Sequence, residues 1–143
     1  MEPLDLRSRA PRPPREKLLG VMFLPRTIDK LRAELPGGHL GDFINHDRGF
    51  SAFVVKRLGL DMDAFRDAVA AAASEAEVEA WLRERIDPAV VEPLNAKLES
   101  FTSDRMPAED QALLRARHPV LEKRPDLSNI LDILEADDRH AFV

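Results

Sequence analysis

The sequence predicts an all-α protein, a single compact domain of six to eight short helices behind an extended N-terminal arm rich in Pro and Arg. Three observations carry that prediction. Apolar residues recur three and four apart through most of the chain between residues 24 and 134, the spacing of one face of a helix. Alternating strand patterns are missing, and only Val54-Val55 leaves a strand reading open for its segment. The composition, rich in Ala, Leu, Glu and Arg, favours helix, and 143 residues suffice for a core without metal or disulfide staples. The expected layout is an arm over residues 1–13 and one helical domain over 14–143.

The elements follow in order. Pro3, Pro11 and Pro13, with Arg7, Arg9 and Arg12 between them, oppose helix and predict the arm. Pro14 can open a short helical segment to Leu19, which Gly20 interrupts. Residues 25–35 form a helix whose stripe is Leu24, Ile28, Leu31 and Leu35. On that wheel Arg26 and Lys30 lie nearly opposite the stripe, while Asp29 and Arg32 flank it and can touch. Residues 36–49 hold four of the six glycines and predict a loop. Helical spacing of Phe50, Phe53, Val54 and Leu58 ends at Gly59. Asp61 caps the next helix, with Met62, Phe65, Val69 and Ala72 on its seam.

Ser74 and Glu77 have the capping-box spacing ahead of Val78, Trp81, Leu82 and Ile86. Asp87-Pro88 opens a helix with Val91, Leu94, Leu98 and Phe101 inward, and Pro93 must kink it or mark its start. Pro107 starts a helix to Arg117, and residues 118–125 form a connector between prolines. The last helix spans 127–137, capped by Asp126, with Leu127, Ile130, Leu131 and Leu134 inward. Trp81 and the other seam residues form the expected core.

Zero cysteines exclude a disulfide framework, a thiolate nucleophile and Cys-rich metal centres. No apolar run approaches the roughly 20 residues of a membrane span, and the N-terminus lacks the apolar core of a signal peptide, so a cytoplasmic protein is expected. Charge is uneven: residues 1–58 carry eleven Lys/Arg against seven Asp/Glu, and residues 59–143 carry ten against nineteen. A pI near 5.4, one Trp and no Tyr argue against a nucleic-acid reader. The asymmetry can instead drive self-association, such as a homodimer.

No nucleophile elbow, phosphate-binding loop or HExxH motif occurs. Arg26, Asp29, Lys30 and Arg32, with Arg12 and Arg15 upstream, can form an anion pocket, because guanidinium forks grip carboxylate or phosphate and a nearby Asp holds the fork in place. The bland alternative is an exposed helix with weak ion pairs. His39, Asp42, His46 and Asp47 offer imidazole and carboxylate donors for a metal, but residues spread over a loop need not converge, so no metal is favoured. His118 and His140 show no partner in the sequence, and Asp132, Glu135, Asp137 and Asp138 read as a solvated acidic end or a cation site.

Together, PREKLLG, LPRTIDKLRAELPG, KRLGLDMDAFRDAV, Val78 to Trp81, LNAKL and LDILEADD resemble, in this order, the bacterial family called domain of unknown function 5069. The resemblance spans nearly the whole chain. It implies a small cytosolic helical protein and brings no established activity. Arg26, Asp29, Lys30, Arg32, Asp61, Asn95 and Asp132 match the family pattern, while Phe43 and Ser51 stand where the family often has Tyr and Asp. The function classes left are a binding module for an anionic small molecule or an acidic protein segment, a small acid/base or metal-assisted enzyme using loop 36–49, and a helical oligomer without a pocket.

Overall fold

The helix that leaves the N-terminal hairpin, Leu24–Ala33 (α1), is buried at nine of its ten positions, and Arg32 alone is half-exposed. In the computed structural model, which describes residues 1–46 and 49–142, α1 belongs to the first of two compact units, Met1–Leu94, and the second begins at Asn95. Among the described residues are eight α-helices and one two-stranded sheet. None of these helices is long and apolar enough to cross a membrane.

The first unit opens with the arm, which packs. Leu6 is buried, its N–H donates to the His39 carbonyl at 2.8 Å, and the His39 N–H donates to the Leu4 carbonyl at 2.9 Å. The short helix expected over 14–19 does not form. Its place is taken by an antiparallel hairpin of Lys17–Leu18 (β1) and Val21–Met22 (β2), with Lys17 opposite Met22 and Leu18 opposite Val21. The turn residues Leu19 and Gly20 both have positive φ, 53° and 77°, as a two-residue hairpin turn of this hand requires. Gly20 meets that demand freely; Leu19 does so under strain. Burial of Val21 and Met22 beneath the hairpin offsets it.

Around α1 pack β1, Phe50–Arg57 (α2) and Met62–Ala71 (α3). Asp61 caps α3 as the sequence predicts, its Oδ1 accepting the Asp63 N–H at 2.9 Å. Glu75–Arg83 (α4) packs on α3. The capping box there forms only in part: Ser74 makes no side-chain cap bond, and Glu77 reaches back to the Ala73 N–H at 2.8 Å instead of to Ser74. Asp87 caps a 3-10 turn, Pro88–Val90, that runs directly into Val91–Glu99 (α5). Pro93 falls in the first turn of α5, where no intrahelical donor is lost, so it marks the start and not a kink.

In the second unit, Ala108–Arg117 (α6) buries no residue, and Leu113 is 66% exposed. The connector expected over 118–125 contains a one-turn helix, Val120–Lys123 (α7), which packs Val120 and Leu121 inward against Ile130–Ala141 (α8). That last helix begins three residues later than predicted. Asn129 is its cap, accepting from the Leu131 N–H at 2.9 Å, because Asp126 is drawn off by Arg124 at 2.9 Å. His118 is not without a partner either: its Nδ1 lies 3.0 Å from Asp137.

Most of the expected seam is buried, but Phe50, Phe53, Met62, Trp81, Val91, Phe101, Leu127 and Leu134 are only half-buried. Trp81 is stacked on Phe65 at 5.8 Å, with Arg85 over its ring at 4.2 Å. Aromatic rings at these positions cover the core edge instead of filling it. Phe23, Val55 and Ile133 are interior residues that the seam analysis does not single out.

Candidate functional site

The charged residues of α1 lie inside the first unit. Arg26 and Lys30, expected on the face opposite the apolar stripe, are 2% and 5% exposed. A single apolar stripe assumes one buried face, and α1 has more than one, because the arm, the hairpin, α2 and α3 surround it. The entry to α1 is itself strained: Phe23, a bulky residue, holds φ at 72°, and its carbonyl accepts both the Thr27 N–H at 2.9 Å and the Thr27 hydroxyl at 2.8 Å. The Phe23 ring then faces Lys30 Nζ at 5.1 Å and the Arg26 guanidinium at 5.6 Å, and the Phe43 ring meets Arg26 at 5.5 Å.

Lys30 donates to the Ile44 carbonyl at 3.1 Å and to Ser51 Oγ at 2.9 Å, and Ser51 shares a hydrogen bond with Thr27 at 3.0 Å. The Thr27 hydrogen is used on the Phe23 carbonyl, so the assignment that uses each hydrogen once has Ser51 donating to Thr27 and Lys30 donating to Ser51. Lys30 thus ties the Ile44 carbonyl and Ser51 to α1, a holding role. Phe43 and Ser51 both sit against these cations.

Asp29 does not touch Arg32 as the three-residue spacing suggests. Its carboxylate, 2% exposed, accepts from the Arg12 backbone N–H at 2.8 Å and from Arg12 Nε at 3.1 Å. Arg12 also grips Glu75 of α4 with both terminal nitrogens and donates to the Pro25 carbonyl at 3.2 Å. Burial opposes the charge on Arg12, but its hydrogen bonds to Glu75 and Asp29, and then their charges, outweigh it and hold its pKa above the ordinary guanidinium value. Arg32 instead donates to the Glu2 carbonyl at 2.9 Å, on the exposed side of the arm. A partner seventeen residues upstream leaves no trace in local spacing; only the Arg content of the arm hints at it.

The C-terminal end of α1 organises the loop. Glu34, its C-cap, accepts from Asn45 Nδ2 at 3.1 Å and from His46 Nε2 at 2.7 Å, so residues 44 to 46 are all held by α1 and its cap. These donors also relieve a carboxylate placed at the negative end of a helix. Gly38 is required where the loop turns back, because a Cβ there would lie 2.6 Å from the Ala33 carbonyl oxygen. With Nε2 bonded to Glu34, a neutral His46 ring keeps Nδ1 as its basic nitrogen. His39 and Asp42 are exposed and apart from this pair, His39 Nδ1 accepting the Gly41 N–H at 3.0 Å. Asp47 lies outside the described residues, and no three metal-binding side chains cluster among those described.

Beside this wall lies a cavity of about 340 Å³, lined by Asn45 and His46 from the loop, Ala52, Val55 and Lys56 from α2, and Leu60, Asp61, Met62 and Asp63 at the entry to α3. Arg26, Asp29, Lys30 and Arg32 do not line it. They stand behind or away from its loop wall, and sequence reasoning, which places the site on α1 itself, misses Asn45, Lys56 and Asp63 as its lining. A glycine-rich loop followed by two capped or bounded helices is the signal that was present for them.

The model of the family described as Domain of unknown function (DUF5069) matches residues 8–140. No curated protein matches the chain. The chain belongs to the DUF5069 family.

Proposed function

We propose that this DUF5069 member is a binding module for a small anionic ligand, received in the cavity that the 36–49 loop walls against α2 and α3. One observation carries the reading. Successive loop residues Ile44, Asn45 and His46 are each tied to α1 or its cap by a side-chain hydrogen bond, and the latter two line a cavity of small-molecule size. Burying the cations of α1 costs several kcal/mol each before their partners compensate, and a well-packed apolar helix would be as stable. Their use in fixing a ligand-facing wall accounts for that expense.

Roles divide accordingly. Lys56 faces the anionic group of the ligand. Lys30 holds the wall through Ile44, Arg26 and Phe43 pack beneath it, and Asp29 with Arg12 fixes α1 against the arm, so these act as positioning residues. Thermal-shift measurement with small carboxylates and inorganic phosphate tests the reading. Wild type should gain melting temperature with at least one of them, and Lys56→Met, an exposed substitution, should lose most of that gain. No gain with any anion, or an unaltered gain in Lys56→Met, contradicts it.

The enzyme reading has one specific observation behind it, the Glu34–His46 pair. A carboxylate that fixes one ring nitrogen orients the other as a general base toward the cavity contents. Turnover of a bound ligand that is lost in His46→Gln while binding persists would support that extension.

A further inference from the structure

The lining of the cavity specifies more than an anion, and the inference drawn from it rests on the binding reading above. Ala52, Val55, Leu60 and Met62 give it an apolar surface. Its charged lining has both signs, Lys56 against Asp61 and Asp63. Asp61 spends Oδ1 on the Asp63 N–H, which leaves Oδ2, and Asp63 has Arg66 at 3.5 Å. A ligand with two negative charges meets two carboxylates here, and a simple amine leaves Lys56 unanswered.

At about 340 Å³ the space lies near the lower end of small-molecule cavities, roughly 300–1,000 Å³, so the ligand is small.

We infer that the cavity binds a free aliphatic α-amino acid, its carboxylate on Lys56, its ammonium on Asp61, and its side chain on Val55, Leu60 and Met62. Lys56 and Asp61 are then each answered by a group of opposite charge within one small molecule. Neither a monocarboxylate nor an amine of the same carbon skeleton does this.

Isothermal titration of the full chain with L-leucine, 4-methylpentanoate, 3-methylbutylamine and inorganic phosphate separates the possibilities. Leucine should bind at least tenfold more tightly than any of the other three. Asp61→Asn, which keeps an N-cap and so keeps α3, should weaken leucine about tenfold and leave 4-methylpentanoate unchanged. Lys56→Met should weaken leucine by a similar factor and leave 3-methylbutylamine unchanged. If 4-methylpentanoate or phosphate binds as tightly as leucine, the amino-acid inference falls and the anion-binding reading stands. If only the amine matches leucine, both fall, as they do if none of the four binds.

Discussion

Helices α1 and α6 are each ten residues long and carry four charged side chains of both signs, yet α1 buries nine positions and α6 none. Arg26, Asp29 and Lys30 end among aromatic rings, backbone carbonyls and a guanidinium from the arm; Glu109, Asp110, Arg115 and Arg117 remain in water. The difference teaches that charge content alone does not place a helix at the surface. What places it is whether other segments supply partners, and in the first unit the arm and the 36–49 loop do so for α1.

The comparison can be broken first at Arg12. Arg12→Ala leaves the buried Asp29 carboxylate without its guanidinium and should cost about 3 kcal/mol of unfolding free energy, because an uncompensated interior charge is expensive. Chemical denaturation measures it, and a loss below about 1 kcal/mol would mean that Asp29 is solvated in solution. Ser51→Ala comes next. It removes the hydroxyl that joins Lys30 to Thr27 and should cost about 1–2 kcal/mol with no change in helix content by circular dichroism.

A gain is expected at the hairpin. Leu19→Asn places a residue tolerant of positive φ in a turn where both central residues have it, and should raise stability by about 1 kcal/mol in the same denaturation experiment. The smallest effects belong to α6: Asp110→Asn or Arg115→Gln should stay within about 0.5 kcal/mol of wild type. At the exposed end of the scale is Asp5, whose hydrogen bonds from the Arg7 side chain and backbone lower its pKa to about 2. A lowered carboxyl pKa means that its contribution is present above the ordinary value near 3.8 and disappears as pH falls through about 2. Replacing Asp5 with Asn should therefore leave stability unchanged relative to wild type only at the acid end of that window.

How much of this was legible beforehand varies with the range of the interaction. Local signals served well: Asp61 and Asp87 cap where their spacing indicates, and the seams of α3 and α4 through Phe65, Val69, Val78 and Leu82 are buried as written. The two-residue strands β1 and β2 are too short to carry a period, so the hairpin left no pattern to read. The reach of Arg12 to Asp29 and Glu75 is set by tertiary packing, and the wheel of α1 pointed Asp29 toward Arg32 only because nothing farther along the chain enters a wheel. Trp81 shows the opposite error. Its seam position suggested full burial, but stacking between Phe65 and Arg85 keeps it at the edge, so Trp81→Ala should cost less than the roughly 3–5 kcal/mol of a fully buried aromatic.

For the site, the loop and its histidine were visible as a cluster of glycines and titratable groups, whereas the lining from α2 and α3 depended on how those helices meet the loop. The cations of α1 were legible as unusual but not as interior. Their burial is what separates a structural charge cluster from the solvated charges of α6.

The most direct test of the account is a ¹H–¹⁵N correlation spectrum of the labelled protein titrated with L-leucine. Resonances of Asn45, His46, Val55, Lys56 and residues 60–63 should shift progressively to saturation, while those of α6 stay in place. Saturable shifts confined to α6, or a spectrum that does not change, would contradict the claim that the 36–49 loop and the helices beside it form a ligand site.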